Sequence, residues 1–478
     1  MSSLKKNFIY LSAYKILEML LPMVTSPLLS RRLGAEALGT YTYISSVVSF
    51  FVTVAELGVY RYGMREIAKV RNDRQSLNQT YSDIFSVHFL NGACIAILYY
   101  IFVFAAMNPA YKVFALIQGL MIAANMFDNA FFYVGIENVK AVSVRDALSK
   151  LVAFVLTVVL VRSPGDLTKY VVLMVASSLF CRVWGLIHAT KYADFIRPNI
   201  QNCKKHYKPM IILMVPAIAS IIYQSMDKVM IGAIYDIEDV GYYECASKAL
   251  IPRNIISALG TVLCPRIANL YAEKKKEKVS ELFSRSMSLS LILSYAFMFG
   301  IAAIAKEFAP WFWGEDFSVC AGLLVGLSIS IPLWCIGEVI RNQFLLPTGR
   351  DNEYMMAFLV GVIVNAIANV ILIPNHGAKG AIVATLLAEF MMSLVQMWVV
   401  RKELSCMNMI ETTIPYFVMG VIMYVVVRTI AKIVQGTLLT HICTEIVAGV
   451  MVFVVLSIIY ELVSGNRNIL SVMKKRMR

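Results

Sequence analysis

Five cations stand inside stretches of sequence that are otherwise apolar: Lys15, Arg182, Lys228, Lys248 and Arg253. The same stretches carry the acids Glu18, Glu56, Asp128, Asp227, Glu244, Glu338 and Glu389. A charge at the centre of a hydrocarbon layer costs roughly 2.5–3.5 kcal/mol on insertion scales, so such residues mark ion or substrate pathways. A guanidinium or ammonium group at that depth suits a phosphate, and a buried acid suits a proton or a coupling cation. Lys15 and Glu18 lie three apart, nearly on one helix face, and Glu244 and Lys248 lie four apart, so these pairs can also neutralise each other. Arg182 and Arg253 have no acid at three or four residues' distance and read as unpaired guanidinium groups in a water-filled cavity. Ser220, Gln224 and Asp227 follow at i, i+4 and i+7, which lays a polar stripe along one helix face. Asp227 and its neighbour Lys228 are about 100° apart on a helix and cannot face one point.

Composition sets the surroundings of these charges. The chain has 478 residues, of which 59% are hydrophobic and only 15% charged. Soluble domains carry about 25% charged residues. The expected class is therefore an all-α polytopic membrane protein. A net charge of +14 suggests nucleic acid in a soluble protein; here it fits basic cytoplasmic loops, and no nucleic-acid partner is expected. Nine cysteines form no C-x-x-C pair and five histidines are scattered, so no metal site is expected. No Walker A loop, Ser/His/Asp set or paired carboxylates appear, which argues against an enzyme, against ATP hydrolysis by this chain and against a bound cofactor.

Apolar runs near 20 residues long give fourteen candidate spans. The first six cover 8–30, 38–60, 84–106, 111–135, 146–161 and 168–190, the fifth being short. The next six cover 210–234, 240–264, 284–305, 317–340, 354–374 and 378–400, and the last two 412–434 and 442–463. The first run, broken by Lys15 and Glu18 and followed by no cleavage site, is expected to be a spanning helix rather than a signal peptide. With the N-terminus and every second loop labelled inside, the inside set holds about 30 Lys and Arg and the outside set about nine, which places both termini in the cytoplasm. No loop exceeds about 25 residues, too little for a separate catalytic domain. Asn78-Gln79-Thr80 matches a glycosylation acceptor but falls in a basic inside loop, where the match is expected to be chance.

The spans repeat. Glu36, Gly39 and Tyr41, between the first two, align with Glu238, Gly241 and Tyr243, between the seventh and eighth, at one offset of about 200 residues. The same offset maps Leu57-Gly58 onto Leu259-Gly260. Two six-helix lobes follow, residues 1–208 and 209–404, related by a pseudo-two-fold axis along the membrane normal with a binding site between them. Residues 405–478 supply two further helices and a basic cytoplasmic tail. Each lobe opens on a helix carrying proline, Pro22 and Pro27 in one and Pro216 in the other; proline removes a ladder hydrogen bond, and these are candidate hinges. Helical rise puts Lys15, Arg182 and Arg253 nearest mid-depth and Asp227, Lys228, Glu244 and Lys248 nearer the outer end. The site is thus sought between the first and eighth helices, with Asp227 closer to an external gate.

The bent first helix, the run L-G-x-E-x-L-G-x-Y at 33–41 and M-D-K-V-M-I-G at 226–232 resemble the polysaccharide exporters of the multidrug/oligosaccharidyl-lipid/polysaccharide exporter superfamily. The likeness is greatest to the O-antigen and capsule flippases and covers nearly the whole chain. It implies a plasma-membrane protein that moves undecaprenyl-diphosphate-linked oligosaccharide from the cytoplasmic to the outer leaflet by alternating access. It implies a cationic cavity for the diphosphate and sugars, to which Lys15, Arg253, Arg182 and Lys248 are assigned by depth. Asp227, Glu18 and Gln224 become candidates for coupling or gating. Expected partners are the lipid-linked substrate, the bacterial inner-membrane lipids, and the polymerase and glycosyltransferases of the same pathway. The alternatives are a flippase for lipid-linked peptidoglycan precursor and a cation-coupled multidrug exporter. A membrane-embedded polymerase or ligase is disfavoured, because a large external loop is missing. Asp227→Asn is expected to change the pH or ion dependence of transport; an unchanged profile would return Asp227 to structural pairing.

Overall fold

The computed structural model describes residues 3–434 and 436–464; the basic tail at 474–478 lies outside the described residues. These residues are helical almost throughout, with no strand among them. Eleven helical stretches among them are long and apolar enough to cross a membrane. Two of these are kinked inside, at Gly34 and at Gly377. Counting each side of a kink as one pass, and adding a 22-residue helix at Val139–Leu160, is consistent with the fourteen expected.

The chain divides into two compact units, Met1–Gly241 and Tyr242–Arg478. In the first are α1 (Ser3–Glu56), α2 (Val59–Val70), α3 (Arg74–Ala106), α4 (Pro109–Met126) and α5 (Ala130–Gly135). They are followed by α6 (Val139–Leu160), α7 (Leu167–Ala189) and α8 (Ile200–Ile234), while α9 (Ile237–Lys248) runs across the division. The second unit continues with α10 (Arg253–Ala272), α11 (Lys276–Trp313), α12 (Cys320–Ser328), α13 (Ser330–Ile340) and α14 (Asp351–Val400). It ends with α15 (Cys406–Glu411), α16 (Ile414–Ile433) and α17 (Leu438–Ser464).

Within the first unit the turn between the first two passes is one residue. Gly34 has φ 77° and ψ 178°, a conformation essentially restricted to glycine. The helix runs through Pro22 and Pro27, and the hydroxyls of Thr25 and Ser30 donate to the carbonyls of Leu21 (3.0 Å) and Pro27 (3.2 Å). Such back-bonding bends helices, in the same stretch where the prolines interrupt the ladder. Arg32 closes the end of α6: its Nη1 donates to the carbonyls of Val158 (2.6 Å) and Val161 (2.7 Å), which the helix end leaves without partners. At the other end of the unit Asp73 caps α3, accepting from the backbone N–H of Gln75 and Ser76. The hydrogen bonds from Ser76 hold its carboxyl below the ordinary value. Asn78 is buried and bonded both ways to Asp194, so it ties α3 to the basic 190–199 link and is no glycan acceptor.

Two expected spans take different forms. The fifth is not a short helix from 146 but α6, which begins at Val139 with a charged first half. The eighth, expected as one helix over 240–264, is broken: α9 ends at Lys248 and α10 starts at Arg253, with Pro252 at its N-cap. Proline has no N–H to continue the ladder and restricts the residue before it, which places the break at 249–252. The repeat is also uneven. Leu57-Gly58 forms the corner between α1 and α2, whereas Leu259-Gly260 lies inside α10.

The glycines of the repeat meet. A Cβ built on Gly39 would collide with the carbonyl of Ile237 and come 3.1 Å from the nitrogen of Gly241, and one on Gly241 would collide with the carbonyl of Ala35 and come 3.2 Å from the nitrogen of Gly39. Small residues are what lets backbones approach so closely in a membrane, where lipid gives helices no hydrophobic reason to associate. Overpacking of this kind costs about 1–3 kcal/mol. Gly39→Ala and Gly241→Ala should each lower the melting temperature of the detergent-solubilised protein by several degrees. Gly300→Ala, where the added atom meets open space, should leave it unchanged; equal melting of all three would contradict the close approach.

Candidate functional site

In the first unit α1 and α6 pack side by side, and their charges meet. The Glu18 carboxylate accepts from Lys15 Nζ at 2.9 Å and from Lys150 Nζ at 2.8 Å. Tyr14, one turn before Glu18, donates to it at 3.3 Å and accepts from Lys150 at 3.0 Å. The Lys150 ammonium also lies 4.9 Å from the centre of the Tyr14 ring, within cation–π range. One carboxylate therefore serves two ammonium groups. The cluster is open, with the Lys15 side chain 66% exposed and Glu18 and Lys150 39% and 38%. Tyr60, early in α2, is within electrostatic reach of Lys15, Glu56, Asp128 and Asp146, and Glu56 within that of Arg182.

Arg182 is not the unpaired guanidinium its sequence neighbourhood suggests. It pairs at 2.8 Å with Asp128, which stands in the link between α4 and α5. The other Asp128 oxygen accepts the N–H of Ala130 at 2.9 Å and so fixes the carboxylate at the head of α5. The partner lies 54 residues away in sequence, out of reach of any within-helix spacing rule. Three charges of α6 were not among the expected site residues: Arg145, Asp146 and Lys150. Arg145 Nε donates to Asp146 at 2.8 Å, and Asp146 also accepts the Cys181 thiol at 3.0 Å. Their density lowers local hydropathy, so the fifth span read as starting at 146 rather than at Val139. An Arg, an Asp and a Lys within six residues, directly before an apolar run, was the available signal.

On α8, Gln224 is exposed and donates to Ser220 Oγ at 2.8 Å, while Asp227 is buried. The three share a stripe but not an environment. Pro216 lies inside α8, with Pro209 two turns earlier. In the second unit Arg253 opens α10, its guanidinium 5.3 Å from the centre of the Trp334 ring. A cation on an aromatic face keeps its hydrogen-bond donors available at the ring's edge. Lys248 pairs with Glu244 at 2.9 Å, one turn back on α9. Glu338 accepts from Ser257 and Asn342, each at 2.7 Å, and pairs with Arg341. That network sits against a π-helical turn, Arg341–Leu345, a form found mostly at functional positions. Among the expected site residues, Lys15, Glu18, Arg182, Gln224 and Asp227 belong to the first unit and Lys248 and Arg253 to the second.

The family model described as polysaccharide biosynthesis protein matches residues 4–271, more than half the chain and the whole stretch from α1 through most of α10. The chain belongs to that family. A Shigella dysenteriae protein described as an O-antigen transporter is 20% identical over 414 residues, covering 83% of this chain and 100% of the relative. The fold resembles that of a lipid II flippase, MurJ, in an inward closed conformation, with a TM-score of 0.77 at 14% identity over 95% of this chain and 99% of that one. It also resembles an inward-facing multidrug resistance transporter of the MATE family in the MOP superfamily, with a TM-score of 0.59 at 15% identity over 81% and 94%. The fold is thus the one these multi-pass membrane proteins share. Residues in one ion-pair network couple by about 0.5–3 kcal/mol. Asp128→Asn should destabilise the protein, and the double variant Asp128→Asn/Arg182→Gln should recover part of the loss; a coupling near zero in thermal melts would mean the pair holds nothing together.

Proposed function

We propose that this protein is a flippase that moves undecaprenyl-diphosphate-linked oligosaccharide repeat units from the cytoplasmic to the outer leaflet by alternating access, supplying cell-surface polysaccharide such as O-antigen or capsule. The observation that carries this reading is the similarity to the O-antigen transporter along that protein's entire length. The site chemistry agrees with it. Two ammonium groups sharing one carboxylate leave a net positive charge at Lys15, Glu18 and Lys150, and a diphosphate would displace the Glu18 carboxylate while keeping both cations. Bidentate recognition of phosphate is the particular strength of arginine, a role for Arg253 on Trp334 and, on release from Asp128, for Arg182. Lys248 would add charge nearer the outside. Asp227, Glu18 and Gln224 would serve coupling or gating, and Pro22, Pro27 and Pro216 bending as access alternates.

In this reading residues 1–208 and 209–404 act as the two lobes, followed by 405–478. The protein lies in the bacterial inner membrane with both termini in the cytoplasm, a placement its basic loops support. It transports rather than catalyses, and works beside the glycosyltransferases and polymerase that make and consume its substrate. A second reading, translocation of a lipid-linked peptidoglycan precursor, is favoured by the likeness in fold to the lipid II flippase.

The test is deletion of the gene, followed by identification of the lipid-linked saccharide that accumulates and the leaflet that holds it. Accumulation of polysaccharide repeat units in the cytoplasmic leaflet, reversed by the wild-type chain and not by Arg253→Ala at equal protein level, is the expected result. Accumulation of peptidoglycan precursor would favour the second reading. Full surface polymer in the Arg253→Ala strain would remove Arg253 from the site.

A further inference from the structure

The last helix, α17, is apolar almost throughout, yet it carries Glu445 about two turns from its start at Leu438. The Glu445 side chain is only 1% exposed, and α17 packs on α11 and α16. Arg428 of α16 comes near, but its Nη1 stops 4.0 Å from the closer carboxyl oxygen. Among the described residues neither Glu445 oxygen has a hydrogen-bond partner. Competition is the cause. The same Nη1 donates to the Glu307 carboxylate at 2.7 Å and to the Ala303 carbonyl at 3.0 Å, both on α11. One guanidinium stands between two carboxyl groups, and α11 holds it.

The charges then do not balance. Glu307 and Arg428 cancel, so an ionised Glu445 would leave one buried negative charge with no hydrogen bond. That costs far more than burying the neutral acid. A metal cation is a poor remedy, because a hard ion takes roughly six to eight oxygen ligands. The oxygens here are two carboxyl groups and one carbonyl, with a guanidinium already among them. A proton needs one oxygen only. We propose that Glu445 is a proton-binding site, neutral while Arg428 is held by α11 and ionised when Arg428 turns to α17. On release the O–H bond of Glu445 breaks, the proton passes to water, and the guanidinium takes over the charge left on the carboxylate. His441 stands one turn nearer the start of α17 on the same face, after the exposed residues 436–440, and can relay the proton.

The other groups leave the balance as it is. Glu307 and Arg428 are the charges that act on Glu445, and Tyr424, one turn before Arg428, acts on the guanidinium. Lys306 on α11 and Lys432 on α16 are exposed. Proton binding and release therefore move one guanidinium between α11 and α17, which changes what joins the last two helices to the rest of the second unit. The site is separate from Asp227, Glu18 and Gln224 and holds whichever saccharide the protein carries.

Infrared difference spectroscopy of the full chain in lipid nanodiscs, stepped in pH, reads the C=O stretch of a protonated carboxyl group. The wild type should show such a band at neutral pH, where exposed carboxyl groups are ionised, and lose it as pH rises. Glu445→Gln, which keeps the shape of the neutral acid, should lack the band. Glu307→Gln, which frees Arg428 for Glu445, should weaken proton binding about tenfold and so lose the band at lower pH; it serves alone if Glu445→Gln does not fold. Replacing choline chloride by sodium chloride should leave the wild-type band unchanged. No band in the wild type, a band that survives in Glu445→Gln, no shift in Glu307→Gln, or a band removed by sodium would each overturn the proposal.

Discussion

A charge carried into hydrocarbon must meet its opposite, and the helices of this protein are held where such meetings occur. Coulomb attraction strengthens as the dielectric falls, but so does the cost of leaving either partner alone. Glu18 binds α1 to α6 through Lys150. Asp128 binds the head of α5 to α7 through Arg182. In the second unit Arg428 on α16 reaches Glu307 on α11 at 2.7 Å and Glu445 on α17 at 4.0 Å, which fastens the last two helices to α11. Each pair is an architectural fastener and a charge reserve at once. In the proposed function, a substrate phosphate that took one partner would change what holds two helices together, the coupling a flippase needs between occupancy and shape.

The backbone answers to the same solvent. No water satisfies an N–H or C=O in the bilayer core, so irregular chain survives only where something else does. Arg32 closes the carbonyls at the end of α6. Asn91 donates to the carbonyls of Val54 and Ala55 at 2.9 Å each, where α1 stops. Glu338 and its partners surround the π-helical turn after α13. The interruptions are therefore the places where polar side chains gather, and the proposed substrate contacts of Arg253 arise at one of them, the break between α9 and α10.

Hydropathy made the helical class legible, and the described helices are consistent with the number of passes it gave, because the demand for about 20 apolar residues per span is local. The two glycines that the sequence pairs, Gly39 and Gly241, approach each other closely, which gives both a physical reason. Ion pairs within one helix, Lys15 with Glu18 and Glu244 with Lys248, followed from spacing alone. What spacing does not encode is the partner on another helix. Arg182 read as free because Asp128 is far away in sequence, and Lys150, at the start of a span that looked short, has its partner Glu18 on another helix. The broken eighth span had its cause in view, Pro252, but whether proline bends a membrane helix or ends it depends on neighbours that the sequence does not display.

Central to the account is a cationic face that carries a lipid-linked diphosphate across the bilayer. The most direct measurement uses proteoliposomes holding a fluorescent polyprenyl-diphosphate oligosaccharide in the inner leaflet, with a membrane-impermeant quencher outside. Wild-type protein should bring the probe to the outer leaflet over minutes, and Lys15→Gln/Lys150→Gln protein of normal melting temperature should not. Probe that stays inside with the wild type, or crosses equally fast with both lysines removed, would contradict the account.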